Sequence, residues 1–223
     1  MPPLKFSTSL LLLYVSLSFG FGFGLVRMSH ILVTGANKGI GYGICEKILS
    51  QAPEDCKVIL AARDEQKGIE ATTKLRKEFG LNRISFLKMD VSSDESVEAA
   101  ISELMDQEVE LDVLVNNAGI ARDVPWAPKP FTADIARDTL NTNLLGVIRV
   151  SEKLVPLMKS SGGRIVNITS GAGQQNAQKM SAAKRAQLLR DDLSVEDLLG
   201  LAEEFVGAYE AAAALAAGGG RGG

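Results

Sequence analysis

The stretch TGANKGIG, residues 34–41, follows the short apolar run HILV (30–33) and opens a segment whose Ile40, Ile44, Cys45, Ile48 and Leu49 share one helical face. Gly35, Gly39 and Gly41 give the spacing G-x-x-x-G-x-G. Glycines at these places let the backbone turn tightly and approach a phosphate closely. The N-terminus of the next helix then offers free N–H groups and the positive end of its dipole to an anion. A glycine-rich turn with no ligand is the alternative. The strand–turn–helix setting at the first βα junction favours a dinucleotide pyrophosphate site, built from Gly35, Asn37, Lys38, Gly39, Ile40 and Gly41.

Downstream, strand-like and helix-like patterns alternate. KVILAA (57–62), RISFLK (83–88), LDVLVN (111–116) and GRIVNI (163–168) read as four further strands. Between them lie a charged helix over 64–79, an amphipathic one marked by Val97, Ile101, Leu104 and Met105, and a long one over 133–159. Such βαβ alternation predicts a doubly wound parallel α/β sheet, covered by helices on both faces.

The end of the second strand bears on the dinucleotide. NAD is held there by an acidic residue on the ribose 2′-hydroxyl. This sequence reads ILAARD, with Ala62 at that place and Arg63 after it, and Lys38 inside the glycine loop. Two cations and no carboxylate favour a 2′-phosphate, hence NADP(H) as cofactor. The alternative for Arg63 is a solvated residue paired with Asp64.

Composition narrows the function classes. A net charge of −3 over 223 residues argues against nucleic acid as a partner. Two cysteines, Cys45 and Cys56, make no disulfide framework, and the single histidine, His30, has no neighbouring metal ligands in the sequence. The N-terminal 28 residues differ from the rest, with an apolar stretch over 10–26 closed by Arg27. That length is long for a signal h-region and short for a membrane span, and the segment reads as a membrane anchor or as a signal or transit peptide. A spurious upstream start is the other reading, because Met28 opens MSHILVTG as a complete start for a cytoplasmic domain. After residue 177 a basic, alanine-rich helix is expected over 178–190. SVED (194–197) is a capping-box start followed by the apolar stripe Leu198, Leu199, Leu201, Ala202, Phe205 and Val206. The low-complexity end, from 209 to 223, is expected to be disordered.

TGANKGIG, LDVLVNNAGIA (111–121), NTNLLG (141–146) and GRIVNITSGAG (163–173), in that order and spacing, resemble the short-chain dehydrogenase/reductase family over residues 29–207. ARD after the second strand and SVEDLLGLAEEFV after Ser170 are most similar to its monomeric NADPH-dependent carbonyl reductases. The resemblance implies a Rossmann-type fold, a monomer, and reduction of an aldehyde, ketone or quinone to an alcohol. It implies that Asn116, Asn117, Ala118 and Gly119 line the adenosine side of the cofactor and that Asp90 and Val91 contact the adenine. Asn143 would bend a helix and hold a water of the proton relay, and Ser170 would bond the substrate carbonyl. Each has a plainer role available: Asn143 as a kink in the long helix, Ser170 as a strand end satisfied locally.

The family's proton donor is the tyrosine of Tyr-x-x-x-Lys. The only tyrosine after Ser170 is Tyr209, with Ala213 four residues on, and Tyr209 reads as structural. The resemblance is therefore to a C-terminally truncated member, whose sheet is incomplete on that side and whose stability is marginal. The expected organisation is an N-terminal segment 1–28, an NADP-binding domain 29–177, a helical insertion 178–208 and the tail. The expected activity is carbonyl reduction by family, absent in this chain for want of the motif. The competing readings are a non-catalytic NADP-binding module and an incomplete product that does not fold.

Overall fold

All five apolar runs become strands: β1 (Ser29–Thr34), β2 (Cys56–Ala62), β3 (Ile84–Lys88), β4 (Val113–Asn116) and β5 (Arg164–Asn167). The structure is a computed structural model that describes residues 29–80, 82–122 and 132–218. The strands form one parallel sheet in the order β3-β2-β1-β4-β5. β1 lies at its centre, with Val33 opposite Leu60 on one side and Val115 on the other. The connecting helices are α1 (Gly39–Gln51), α2 (Glu65–Phe79) and α3 (Asp94–Asp106). Between β4 and β5 run α4 (Ala133–Leu140), a π-helical turn (Asn141–Leu145), α5 (Gly146–Leu154) and a 3₁₀ turn (Val155–Leu157).

Period-two alternation sends successive strand residues into two cores. Leu32, Ile59, Ala61, Leu87 and Leu114 meet Val97, Ala100 and Leu104 of α3 and Val150 and Leu154 of α5 on one face. Val33, Val58, Leu60, Ile84 and Val115 meet Cys45 and Leu49 of α1 and Ala71 and Leu75 of α2 on the other. Each fully buried leucine contributes about 1.5–3 kcal/mol. Both cysteines are buried free thiols, and burial pushes the Cys45 thiol up to about 12, so it is an inert core residue. The C-terminal end of α1 is closed by Arg83, whose guanidinium donates to the carbonyls of Leu49, Ala52 and Pro53 at 2.9, 3.1 and 3.0 Å.

The long helix expected over 133–159 is one continuous run of helical backbone, but it changes pitch at Asn141–Leu145 and ends at Leu157. Met158 pairs with Leu111 in an isolated parallel bridge, so the chain there already serves the sheet. β5 is an edge strand, with Ile165 and Val166 half-buried and Ile168 exposed.

The described residues form two compact units, one of 29–169 with 206–218, the other Ser170–Phe205. In the second unit, α6 (Gly171–Lys179) begins before the expected basic helix, which is itself shorter, α7 (Ala182–Leu188). α8 (Val195–Gly218) starts with the expected capping box. Ser194 Oγ accepts from the Asp197 N–H, and the Asp197 carboxylate accepts from the Ser194 N–H, both at 3.1 Å. Of the tail expected to be disordered from 209, residues 209–218 are instead helical, because alanine has the highest helix propensity. Val206 is buried and Glu210 pairs with Arg137, which ties this half of α8 to the first unit. No helix among the described residues is long and apolar enough to cross a membrane. The apolar segment 10–26 lies outside the described residues.

Candidate functional site

Strand order reverses between β1 and β4, and the crevice beyond their C-terminal ends is where a doubly wound sheet binds ligands. Both ends are locked. Thr34, 2% exposed, accepts from the N–H groups of Asn117 and Ala118 at 3.0 Å each, and its hydroxyl donates to the Val115 carbonyl at 3.4 Å. The Asn117 side-chain amide donates back to the carbonyls of Thr34 and Gly35 at 2.8 and 3.3 Å. Asn117 thus acts by holding the glycine loop. Thr34 was not legible as a site residue, although a hydroxyl closing an apolar strand just before glycine was the available signal.

The loop fits a pyrophosphate. Gly35 has φ +63°, and a Cβ on it would lie 2.7 Å from the Cα of Ala118, so only glycine allows this approach of β1 to β4. A Cβ on Gly41 would fall 2.4 Å from the Asn117 amide nitrogen and 2.8 Å from the Cα of Ala36. Gly39 is the opposite case: φ is +59° and a Cβ would meet nothing within 4 Å, so its backbone faces open space. Asn37 is half-buried, and Lys38, Gly39 and Ile40 are exposed, Ile40 at 68%. An apolar side chain so exposed at the mouth of the crevice suits contact with a bound ring.

α1 begins at this loop without a side-chain cap and without an acidic residue in its first turn. α2, α3 and α4 are each capped, by Asp64, Ser93 and Thr132. The free donors of α1 are thus left for an anion.

At the end of β2, Ala62 is buried and Arg63 exposed. Asp64 pairs with Lys67, its carboxylate accepting from Nζ at 2.7 Å and from the N–H at 3.1 Å, and these bonds hold the carboxyl below its usual range. Among the described residues neither Arg63 nor Lys38 has an ion-pair partner, so pairing of Arg63 with Asp64 is not what the structure shows. At the end of β3, Asp90 is half-buried and its carboxylate accepts from the N–H and hydroxyl of Ser92 at 2.9 and 2.6 Å. Val91 is 7% exposed, its side chain belongs to the core, and its carbonyl accepts from Arg149 at 2.7 Å.

Asn143 sits in the π-helical turn, where a local change of pitch is frequent at functional sites. Its amide donates to the Ile120 carbonyl and its Oδ1 accepts from the Ile120 N–H, both at 2.8 Å. The side chain is therefore committed to fixing the backbone after Gly119, and a Cβ on Gly119 would lie 3.4 Å from Oδ1. Beneath it, buried Asn116 donates to Ser151 Oγ at 3.0 Å and to Asn167 Oδ1 at 2.9 Å, tying β4 to α5 and β5. Asn167 and Ser151 were not singled out from the sequence. Ser170 opens the second unit, exposed, as the N-cap of α6, its Oγ accepting from the Ala172 N–H at 3.1 Å.

The family model described as short chain dehydrogenase matches residues 29–187. Carbonyl reductase 1 (NADPH) of Rattus norvegicus is 37% identical over 179 residues, covering 78% of this chain and 61% of that protein. The chain thus spans about three-fifths of the length of the curated relatives it matches first. Among solved structures, menthone neomenthol reductase from Mentha piperita superposes with a TM-score of 0.65 at 31% identity, over 80% of this chain and 72% of that one. L-sorbose reductase from Gluconobacter frateurii, solved with NADPH and L-sorbose, superposes with a TM-score of 0.56 at 26% identity, over 67% of this chain and 56% of that one.

Proposed function

The chain belongs to the short chain dehydrogenase family, and from that premise we propose that it binds NADP(H) at the β1–β4 crevice as a unit of carbonyl-reductase type. The observation that carries this reading is the uncapped N-terminus of α1, opening from a glycine loop whose flanking cations, Lys38 and Arg63, have no ion-pair partner among the described residues. The α1 amides and the loop backbone of Gly35–Gly41 would hold the pyrophosphate, Lys38 and Arg63 the 2′-phosphate, and the Asp90–Val91 turn the adenine. Bound there, NADPH supplies a hydride for an aldehyde, ketone or quinone carbon. Residues of this chain orient and exclude. Thr34 and Asn117 hold the loop, Asn143 holds the backbone at Ile120, and the exposed Ile40 shields the mouth of the crevice.

Reduction of a carbonyl also needs a proton at the oxygen, and a neutral phenol with its pKa near 10 gives it up at neutral pH only with help from a nearby cation. The 223-residue sequence has no tyrosine followed four residues later by lysine. The retained family positions Asn143 and Ser170 do not replace that pair, since an amide and a hydroxyl do not titrate at neutral pH. These 223 residues accordingly supply the dinucleotide site without the proton-donating pair. Purified 223-residue protein should quench or shift NADPH fluorescence saturably and show no NADPH oxidation above background with a quinone such as menadione. Steady oxidation proportional to protein would refute the inactive part of the reading, and no saturable binding would refute the cofactor part.

A further inference from the structure

We propose that Arg149 is the positioning residue that holds the turn after β3, the adenine side of the dinucleotide site, against the π-helical turn that carries Asn143. This rests on the cofactor reading above. Arg149 lies on α5, only 14% exposed, and its planar guanidinium reaches three separate places. Nη1 donates to the Val91 carbonyl at 2.7 Å, Nε pairs with the Asp94 carboxylate at 3.0 Å, and Nη2 donates to Asn141 Oδ1 at 3.3 Å. Asn141 in turn donates its amide to the Ser92 carbonyl at 3.1 Å. Two successive carbonyls of one turn are therefore held from the π-helical side.

Gly146 completes the contact. A Cβ there would lie 3.0 Å from both the Cγ2 and the carbonyl oxygen of Val91, so glycine lets the start of α5 rest on the turn itself. Removing a cation this far from water is costly unless its donors are used, and all three directions of the fork are used. A lysine offers a point charge that can face Asp94 but cannot span Val91 and Asn141 together. The nearby Lys153 shows the difference. It pairs with Asp94 and Glu98 and touches neither carbonyl, so it contributes charge on α5 without gripping the turn.

The test titrates the 223-residue chain with adenosine 2′,5′-bisphosphate, the adenine half of the cofactor, for the parent and for Arg149→Met, Arg149→Lys and Lys153→Met. Thermal melts and amide hydrogen exchange over residues 90–93 are read alongside. Both Arg149 variants should bind about tenfold more weakly, with faster exchange in the turn, and Lys153→Met should bind as the parent. Should Arg149→Met not fold, Arg149→Lys carries the test. Parent-like affinity in Arg149→Lys would overturn the proposal, as would an equal loss in all three variants in step with their melting temperatures. A parent that binds neither the bisphosphate nor NADPH sinks the cofactor reading and this proposal together. A parent that binds, with Arg149→Met unchanged, sinks this proposal alone.

Discussion

Thr34 and Asn117 hold each other at both ends: the threonine hydroxyl accepts the asparagine N–H at 3.0 Å, and the asparagine amide donates to the threonine carbonyl at 2.8 Å. This pair fixes the last residue of β1 to the first residue past β4, across the point where strand order reverses. Thr34→Val keeps the shape and removes the hydroxyl, leaving the N–H groups of Asn117 and Ala118 without their acceptor. The expected loss is about 2 kcal/mol or more in urea unfolding, with Thr34→Ser close to the parent. A Thr34→Val midpoint equal to the parent would show that the hydroxyl is not needed.

Gly68 on α2 faces Phe86 of β3, and a Cβ at 68 would fall 2.0 Å from the ring. Gly68→Ala is expected to destabilise by about 1–3 kcal/mol through overpacking, against the usual gain from alanine in a helix. Phe86→Leu should recover part of that loss in the double variant, although alone it destabilises. Additive effects in the double-variant cycle would contradict the contact.

Arg63 is exposed at the end of β2 and Asp64 is already paired with Lys67. Arg63→Ala should weaken NADPH about tenfold and leave NADH unchanged, since only the former carries the 2′-phosphate. Equal weakening of both cofactors, by competition titration, would remove Arg63 from the role.

His30, the only histidine of the chain, donates from Nδ1 to the Glu110 carbonyl at 3.2 Å. Burial holds its pKa below the ordinary 6.5. The folded state then binds fewer protons than the unfolded one, so stability increases as pH rises. This contribution is complete above pH 6.5 and is lost as pH falls through the lower folded-state value. His30→Asn should flatten the pH dependence of the unfolding free energy just below 6.5. An unchanged slope in that variant would assign the dependence to other groups.

Much of the sheet was readable from the sequence because each strand is a short apolar run and each flanking helix shows one apolar face, as Leu32 and Val33 show by dividing between the two cores. The glycine loop was readable because its residues answer to local backbone demands. The Thr34–Asn117 lock and the Arg149 clasp were not, since each joins residues separated by dozens of positions, and a single polar side chain carries no periodic signal. The pitch change at Asn141–Leu145 was expected only in outline, as a bend at Asn143. The tail misled by composition: its low complexity suggested disorder, while its alanines extend α8 to Gly218.

A 2′-phosphorylated dinucleotide is the ligand proposed for the crevice between β1 and β4. The most direct measurement is a pair of calorimetric titrations of the 223-residue chain, with NADPH and with NADH. Saturable one-to-one binding is expected, with NADPH favoured about tenfold or more. Equal dissociation constants, or no binding of either, would rule out a 2′-phosphate site in the crevice.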